Sequence, residues 1–314
     1  MGKHEDHLRT GSDISRTESI ICGGMAGLVS RFVISPLDVI KIRLQLGVNT
    51  GHSVAPGKML WTTVTSLYRN EGIRVFWKGN VPAEYLYIMY GAVQFTTYKA
   101  TTRFCRQNAD WIPDSFKLFI AGSTAGFAAT TLTYPLDLLR TRFAADSSKQ
   151  RSSVIGSVYR IHRAEGVRGF FRGLSPTLLS IVPNLGIFFV VYEQVRKVLQ
   201  RAKLDTLPAP EVSAGFLAGI VSKGMVFPLD VLRKRLQVQG PSYVHAANIQ
   251  LYPTSMVRFA HHIVVHEGIR AFYKGFLISL LKSGPSSAVT IWTFEKSLLV
   301  MKYLQSTSID ERLL

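Results

Sequence analysis

Two stretches of the chain run for 19 residues without a charged side chain: 118–136 (LFIAGSTAGFAATTLTYPL) and 174–192 (LSPTLLSIVPNLGIFFVVY). A membrane-spanning helix needs about 20 mainly apolar residues, so each has the length to cross a bilayer. Windows near 20–40, 81–98, 212–232 and 276–294 have the same character but carry one or two charges each. The pattern predicts six spans. Hydroxyl and charged residues recur within them, and a polar stripe at membrane depth lines a cavity. Between paired spans lie WTTVTSLYRNEG (61–72), SSVIGSVYRIHRAEG (152–166) and TSMVRFAHHIVVHEG (254–268). Their apolar residues recur at roughly helical spacing and each ends in Glu-Gly, which predicts amphipathic helices at the membrane surface, stopped by glycine. Polar linkers are expected at 47–57, 145–150, 206–210 and 239–243.

The chain is one unit written three times. SPLDVIKIRLQ (35–45), YPLDLLRTRFA (134–144) and FPLDVLRKRLQ (227–237) share a proline, an acid two residues on and alternating basic residues. EGIRVFWKG (71–79), EGVRGFFRG (165–173) and EGIRAFYKG (267–275) follow in the same order. Each proline stands nine residues after a glycine, Gly27, Gly126 and Gly219, and these glycines sit in small-residue runs suited to close helix packing. Three ordered features recurring at intervals of 99 and 93 residues define repeats at 18–106, 107–204 and 205–303, with an arm at 1–17 and a tail at 304–314. The predicted fold is an all-α membrane protein: six transmembrane helices in three pseudo-threefold repeats, with short amphipathic surface helices.

Charge changes the picture. A net charge of +17 at a mean hydropathy of only +0.16 suggests a nucleic-acid binder at first sight. Residues 41–79, 140–172 and 233–274 carry +5, +6 and +5, so +16 of the total lies in three equivalent segments. With six spans those segments share one side of the membrane and both termini the other. The charge therefore marks the side that insertion treats as inside. A soluble basic helical repeat binding nucleic acid is the competing reading, but it predicts no uncharged 19-residue stretches. An apolar share of 47% excludes disorder, and two cysteines exclude a disulfide-stapled fold. Residues 1–18 resemble neither a secretory signal nor a transit peptide, so targeting is expected to be internal. There is no Walker-type phosphate loop, zinc constellation or nucleophile elbow, and no enzyme is predicted. His262 and His266 have the i, i+4 spacing of metal ligands, but no acid or cysteine is near and the other repeats lack them, so no metal site is expected.

Each proline motif sets an acid and a base three residues apart: Asp38 and Lys41, Asp137 and Arg140, Asp230 and Arg233. Within one helix such a pair contributes a few tenths of a kcal/mol. The proline is expected to kink or break the helix at the same depth three times. Under threefold pseudo-symmetry the acids and bases pair between neighbouring repeats and close a central pathway, with Gln45 and Gln237 bracing the ring and Ala144 breaking that pattern in repeat 2. Three cations, Arg31, Lys223 and Lys282, lie inside apolar spans, where a charge is costly and marks function. The chemistry they suit is an anion, most naturally a phosphate group.

From about residue 18 to 303 the chain resembles the mitochondrial carrier family, on the strength of the proline–acid–base and Glu-Gly/aromatic–basic–Gly motifs. The resemblance implies a salt-bridge gate on the matrix side, alternating access and one central solute site. It also implies a cytoplasmic-side gate of aromatic, acid and base, present as Tyr192, Glu193 and Arg196 but altered to Tyr98, Lys99 and Thr102 in repeat 1, and to Glu295 without its base in repeat 3. By the family's spacing, solute meets Leu86 and Tyr87, Ser180 and Ile181, Lys282 and Ser283 on even spans, and Arg31, Thr130 and Lys223 on odd ones. Glu84 either pairs with Arg31 or faces a cationic part of the solute. Strings such as KGNVPA (78–83), YGAVQF (90–95) and SLLK (279–282) are most similar to family members that carry thiamine pyrophosphate. That solute is therefore implied, with nucleotides, deoxynucleotides or coenzyme A as the alternative. The expected partners are this phosphorylated small molecule and the lipid bilayer, cardiolipin included, with no nucleic acid and no cofactor. The resemblance further implies a monomer in the mitochondrial inner membrane with its termini on the intermembrane-space side.

Overall fold

A computed structural model of the chain describes residues 16–47, 56–108, 111, 113–146, 153–201, 210–240 and 255–313. Residues 1–15 of the arm, and most of the four expected linkers, lie outside the described residues. In order, the elements are α1 (Arg16–Leu46), α2 (Pro56–Glu71), a 3₁₀ turn (Ile73–Trp77), α3 (Asn80–Asn108), α4 (Asp114–Ala145), α5 (Val154–Gly169), α6 (Leu174–Arg201) and α7 (Pro210–Gln237). They continue with α8 (Met256–Glu267), a second 3₁₀ turn (Ile269–Tyr273), α9 (Phe276–Leu281) and α10 (Ser283–Leu313). No strand occurs among the described residues.

What each long helix buries marks the solvent it is built for. α4 buries Ala121, Ser123, Ala125, Gly126, Ala129, Thr130 and Thr133, while Phe116, Leu118 and Leu132 on the same helix are exposed. Small residues inside and large apolar ones outside is the arrangement of helices packed in lipid, where close backbone approach, not burial of bulk, holds the bundle. Among the described residues two helices, Leu174–Leu199 and Val212–Gln237, are apolar enough to cross a membrane on hydropathy alone. The other long helices dilute their apolar content with hydroxyl, glycine and charged residues.

The chain divides into two compact units. The first holds α1 up to Ser35 together with residues from Leu281 onward. There Cys22, Ala26 and Ser30 are buried at a spacing of four, and Thr290 donates to Ser30 Oγ at 2.8 Å, which in turn donates to the Ser286 carbonyl at 3.1 Å. The second unit runs from Pro36 to Leu280. Its apolar clusters repeat one recipe: the C-terminal end of an odd span, the surface helix and the turn after it. In repeat 1 these are Ile40, Leu44, Leu67 and Val75 with Ile278; in repeat 2 Leu138, Leu139 and Ile161; in repeat 3 Leu232, Leu236, Phe259, Ile263 and Phe272. The first and third surface helices stop where Glu-Gly predicts and α5 kinks there before running on to Gly169, with Gly72, Gly268 and Gly166 at φ of 79°, 77° and 65°.

Some expectations need correcting. Pro36, Pro135 and Pro228 do not break their helices; α1, α4 and α7 run on past them. Membrane helices tolerate proline because neighbouring groups satisfy the backbone it frees. A break occurs instead at Lys282, between α9 and α10, ahead of Gly284 and Pro285. From there α10 runs to Leu313.

The three motif glycines explain how the repeats meet. Gly79, Gly173 and Gly275 hold φ of 82°, 81° and 83°, a conformation that a side chain disfavours. A Cβ on Gly79 would stand 2.6 Å from the Arg140 carbonyl, one on Gly173 2.9 Å from the Arg233 carbonyl, and one on Gly275 3.4 Å from the Lys41 carbonyl. Each glycine thus lies against the backbone of the next repeat's first motif base.

Candidate functional site

The aspartate of each proline motif reaches the base of another repeat rather than its own. Asp38 pairs with Arg140, Asp137 with Arg233 at 2.9 Å, and Asp230 with Lys41 at 3.7 Å. Repeat 1 holds repeat 2, repeat 2 holds repeat 3, and repeat 3 holds repeat 1. All six side chains sit in the second unit. The odd helices carry them at one level because the motif has the same register in each.

The three links differ. Asp137 also accepts from Lys234 Nζ at 3.3 Å on both oxygens and from the Gln237 amide. Lys234 donates onward to Thr141 Oγ1 at 2.8 Å and to Gln237 Oε1 at 3.1 Å, and Thr141 donates to Gln237 Oε1 at 2.8 Å. Arg140 uses its second arm on Tyr87 Oη at 2.7 Å, with its guanidinium carbon 5.3 Å from the same ring. Asp230 is the most exposed of the acids, at 31% against 8% for Asp38 and 7% for Asp137. Gln45 was expected to brace the ring as Gln237 does. It is buried, and neither polar atom of its amide has a hydrogen-bond partner among the described residues. Repeat 1 has Ile42 where repeat 3 has Lys234, so no charge at that position brings the Gln45 amide into the network.

A second tier was not assigned from the sequence. The second base of each motif, Arg43, Arg142 and Arg235, is buried. Its Nε donates to a carbonyl at the end of the next repeat's odd helix: Ala144 at 2.7 Å, Gln237 at 2.9 Å and Gln45 at 2.9 Å. These carbonyls have no partner inside their own helix, and a cation there also meets the negative end of the helix dipole. The other face of each guanidinium pairs with the Glu-Gly carboxylate of its own repeat, Glu71, Glu165 or Glu267. Each carboxylate is gripped again by Lys78 at 2.9 Å, Arg172 at 3.2 Å or Lys274 at 3.3 Å, the base just before the motif glycine. Partial burial works to raise the Glu267 carboxyl, but Arg235 and Lys274 outweigh it and hold the carboxyl below its ordinary range. A signal for this tier was in the sequence: the second base is arginine all three times, whereas the first varies between Lys41 and Arg140.

The expected solute residues divide between the units. Arg31, Lys282 and Ser283 belong to the first. In the second, Lys223 donates to the Ser279 carbonyl at 3.4 Å, Glu84 accepts from Asn80 at 3.2 Å and Ser180 donates to the Thr177 carbonyl at 2.6 Å. Leu86 is buried, Tyr87 is engaged by Arg140, and Ile181 packs 3.2 Å from where a Cβ on Gly126 would stand. The residues expected at a cytoplasmic-side gate make contacts along their own helices. Glu193 pairs with Lys197 at 2.8 Å rather than with Arg196, Lys99 lies over Phe95 at 4.2 Å, and Tyr98 and Glu295 are exposed. The His262 and His266 rings stack at 3.9 Å, and no group of three metal-ligating side chains occurs among the described residues.

A helical protein of three cyclically linked repeats, with apolar faces turned outward and ion pairs inward, is a membrane carrier in build. The family model described as "Mitochondrial carrier protein" matches residues 12–109, 113–203 and 206–304, and the chain belongs to that family. It is a transporter and not an enzyme, and the family is one of mitochondrial membranes. Proteins named "Mitochondrial thiamine pyrophosphate carrier 1" are similar along nearly the whole length. The one from Aspergillus oryzae is 45% identical over 98% of this chain and 100% of its own. That from Neurospora crassa is 45% identical over 90% and 91%, and that from Yarrowia lipolytica 44% over 95% and 96%.

Proposed function

We propose that this chain carries thiamine pyrophosphate across the mitochondrial inner membrane by alternating access, and that the structure is the state closed on the matrix side. The observation that carries the reading is the closed ring Asp38–Arg140, Asp137–Arg233 and Asp230–Lys41. A ring of inter-repeat pairs is a bistable contact: it holds when all three links are made and releases when the helices separate. The cytoplasmic-side residues Tyr98, Lys99, Tyr192, Glu193, Arg196 and Glu295 form the opposite gate, and their intrahelical contacts suit its open form. Arg31, Lys223 and Lys282 serve the pyrophosphate, and the aromatic faces of Tyr87 and Tyr90 suit a planar ring, with Glu84 near enough in sequence to meet a cationic one. Leu86, Ser180, Ile181 and Ser283 complete the contacts. The basic segments face the matrix and the termini the intermembrane space. The carrier works as a monomer in a bilayer that includes cardiolipin.

The name shared by the relatives supports the solute. The test is uptake of labelled thiamine pyrophosphate into liposomes holding the purified carrier, with unlabelled thiamine pyrophosphate, ADP and coenzyme A as competitors. Thiamine pyrophosphate should compete best. Stronger competition by ADP or coenzyme A would transfer the assignment to a nucleotide or coenzyme A carrier. Uptake unaffected by Arg31→Ala or Lys282→Ala would remove those residues from the site.

A further inference from the structure

The matrix-side ring holds four cations against three carboxylates: Lys41, Arg140, Arg233 and Lys234 face Asp38, Asp137 and Asp230. The fourth, Lys234, has no basic counterpart in the other repeats, where Ile42 and Thr141 occupy the equivalent positions. It is not a spectator on the helix surface. Its side chain is only 15% exposed, and its three protons go to Asp137, Thr141 and Gln237. Two of those partners, Asp137 and Thr141, belong to repeat 2 and Lys234 to repeat 3, so its bonds cross the seam that opening must part.

We propose that Lys234 is a positioning residue that sets how strictly transport is coupled to exchange. The idea rests on the carrier reading above and adds one residue to it. An exchanger must keep its empty form from turning round. What holds the empty form is the closed ring, and every bond across a seam raises the barrier to opening. In the loaded protein solute binding energy offsets this barrier, so that ring opening no longer limits the loaded turn. Weakening the ring therefore speeds the empty turn more than the loaded one. Lys234 gathers Asp137, Thr141 and Gln237 into one knot, which makes the repeat 2–3 seam the firmest of the three.

Substituting Lys234 by Met keeps the length and leaves Asp137 paired with Arg233, so no buried charge is stranded. Uptake is measured into liposomes loaded with solute and into empty ones, using whichever of thiamine pyrophosphate, ADP and coenzyme A the wild type carries. Lys234→Met should raise the empty-to-loaded uptake ratio about tenfold, the lower end of the effect of one charge-assisted hydrogen bond. Lys234→Arg, which keeps charge and donors, should stay within about twofold of wild type. Thr141→Val should move the ratio in the same direction by less. An unchanged ratio in Lys234→Met, or a Lys234→Arg that matches it, overturns the proposal. If Lys234→Met does not fold, an unchanged ratio in Thr141→Val overturns it instead. The solute assignment is judged separately, on the wild type alone.

Discussion

Arg142 closes on Glu165 through two parallel bonds of 2.8 Å, and the two side chains are 3% and 0% exposed. The same guanidinium donates to the Gln237 carbonyl of the next repeat. One buried side chain thus fixes the surface helix of its own repeat and the end of a neighbour's span. Removing one partner of such a pair strands a buried charge, at a cost of about 3–5 kcal/mol. Glu165→Gln should lower the unfolding temperature of the purified carrier markedly. Glu165→Gln with Arg142→Met should recover part of the loss, because the one cation then left without its acid, Arg172, is 29% exposed and not deeply buried. A double variant less stable than Glu165→Gln would show that the helix-end bond outweighs the ion pair.

The three motif glycines share their backbone conformation but not their clearance. Alanine at any of them meets the cost of positive φ, about 1–2 kcal/mol. At Gly79 the added Cβ would also press on a backbone carbonyl at 2.6 Å, at Gly173 on one at 2.9 Å, and at Gly275 it would lie at 3.4 Å. Backbone cannot swing aside as a side chain can. Thermal unfolding should rank the losses Gly79→Ala, then Gly173→Ala, then Gly275→Ala. Equal losses would mean that conformation alone decides.

Much of this was legible because repetition turns weak signals into strong ones. A single Asp38 and Lys41 three residues apart reads as a local pair; three copies at a fixed register predict a ring. The outcome at Gln45 was not legible, because the motif letter is the same as at Gln237 and the difference lies in Ile42 against Lys234, one residue outside the pattern. The role of Arg43, Arg142 and Arg235 was missed for another reason. Their carboxylate partners stand in another motif, and their partners in the next repeat are backbone carbonyls, which every residue carries, so nothing in the sequence of α1, α4 or α7 announces that acceptor. The break at Lys282 was hidden because Gly284 and Pro285 sit in a window read for its length, its apolar content and its lysine, and not for helix breakers.

Acid should act on the outer tier through Glu267. Its carboxyl is held below the ordinary value of 4.5, so its folded form binds its proton less readily than the unfolded chain does. The stability this contributes is complete above about that value and is lost as pH falls through the lower, folded one. The gap in unfolding temperature between wild type and Glu267→Gln should therefore be constant at neutral pH and shrink on acidification. A gap that widens toward acid would reverse the sign and place Glu267 among groups that are destabilised as carboxylates.

The ring itself should fail unevenly. Asp137 is 7% exposed and receives Arg233, Lys234 and the Gln237 amide, so Asp137→Asn leaves two largely buried cations, 22% and 15% exposed, without their acid. Breaking a buried network of that kind costs about 3–5 kcal/mol. Asp230 is 31% exposed and its link to Lys41 spans 3.7 Å. Pairs with that much access to water are worth about 0–1 kcal/mol, because solvent screens the charge left behind. In solute-free protein, Asp137→Asn should lower the unfolding temperature far more than Asp230→Asn. Arg233→Gln added to Asp137→Asn should restore part of the loss, whereas Lys41→Gln added to Asp230→Asn should change little. Equal losses from the two aspartates would mean that the three seams bear the closed state alike, despite the difference in their bonding. The predicted inequality instead makes the Lys41–Asp230 seam the one that parts with least resistance, which is where the unbraced Gln45 also lies in the chain.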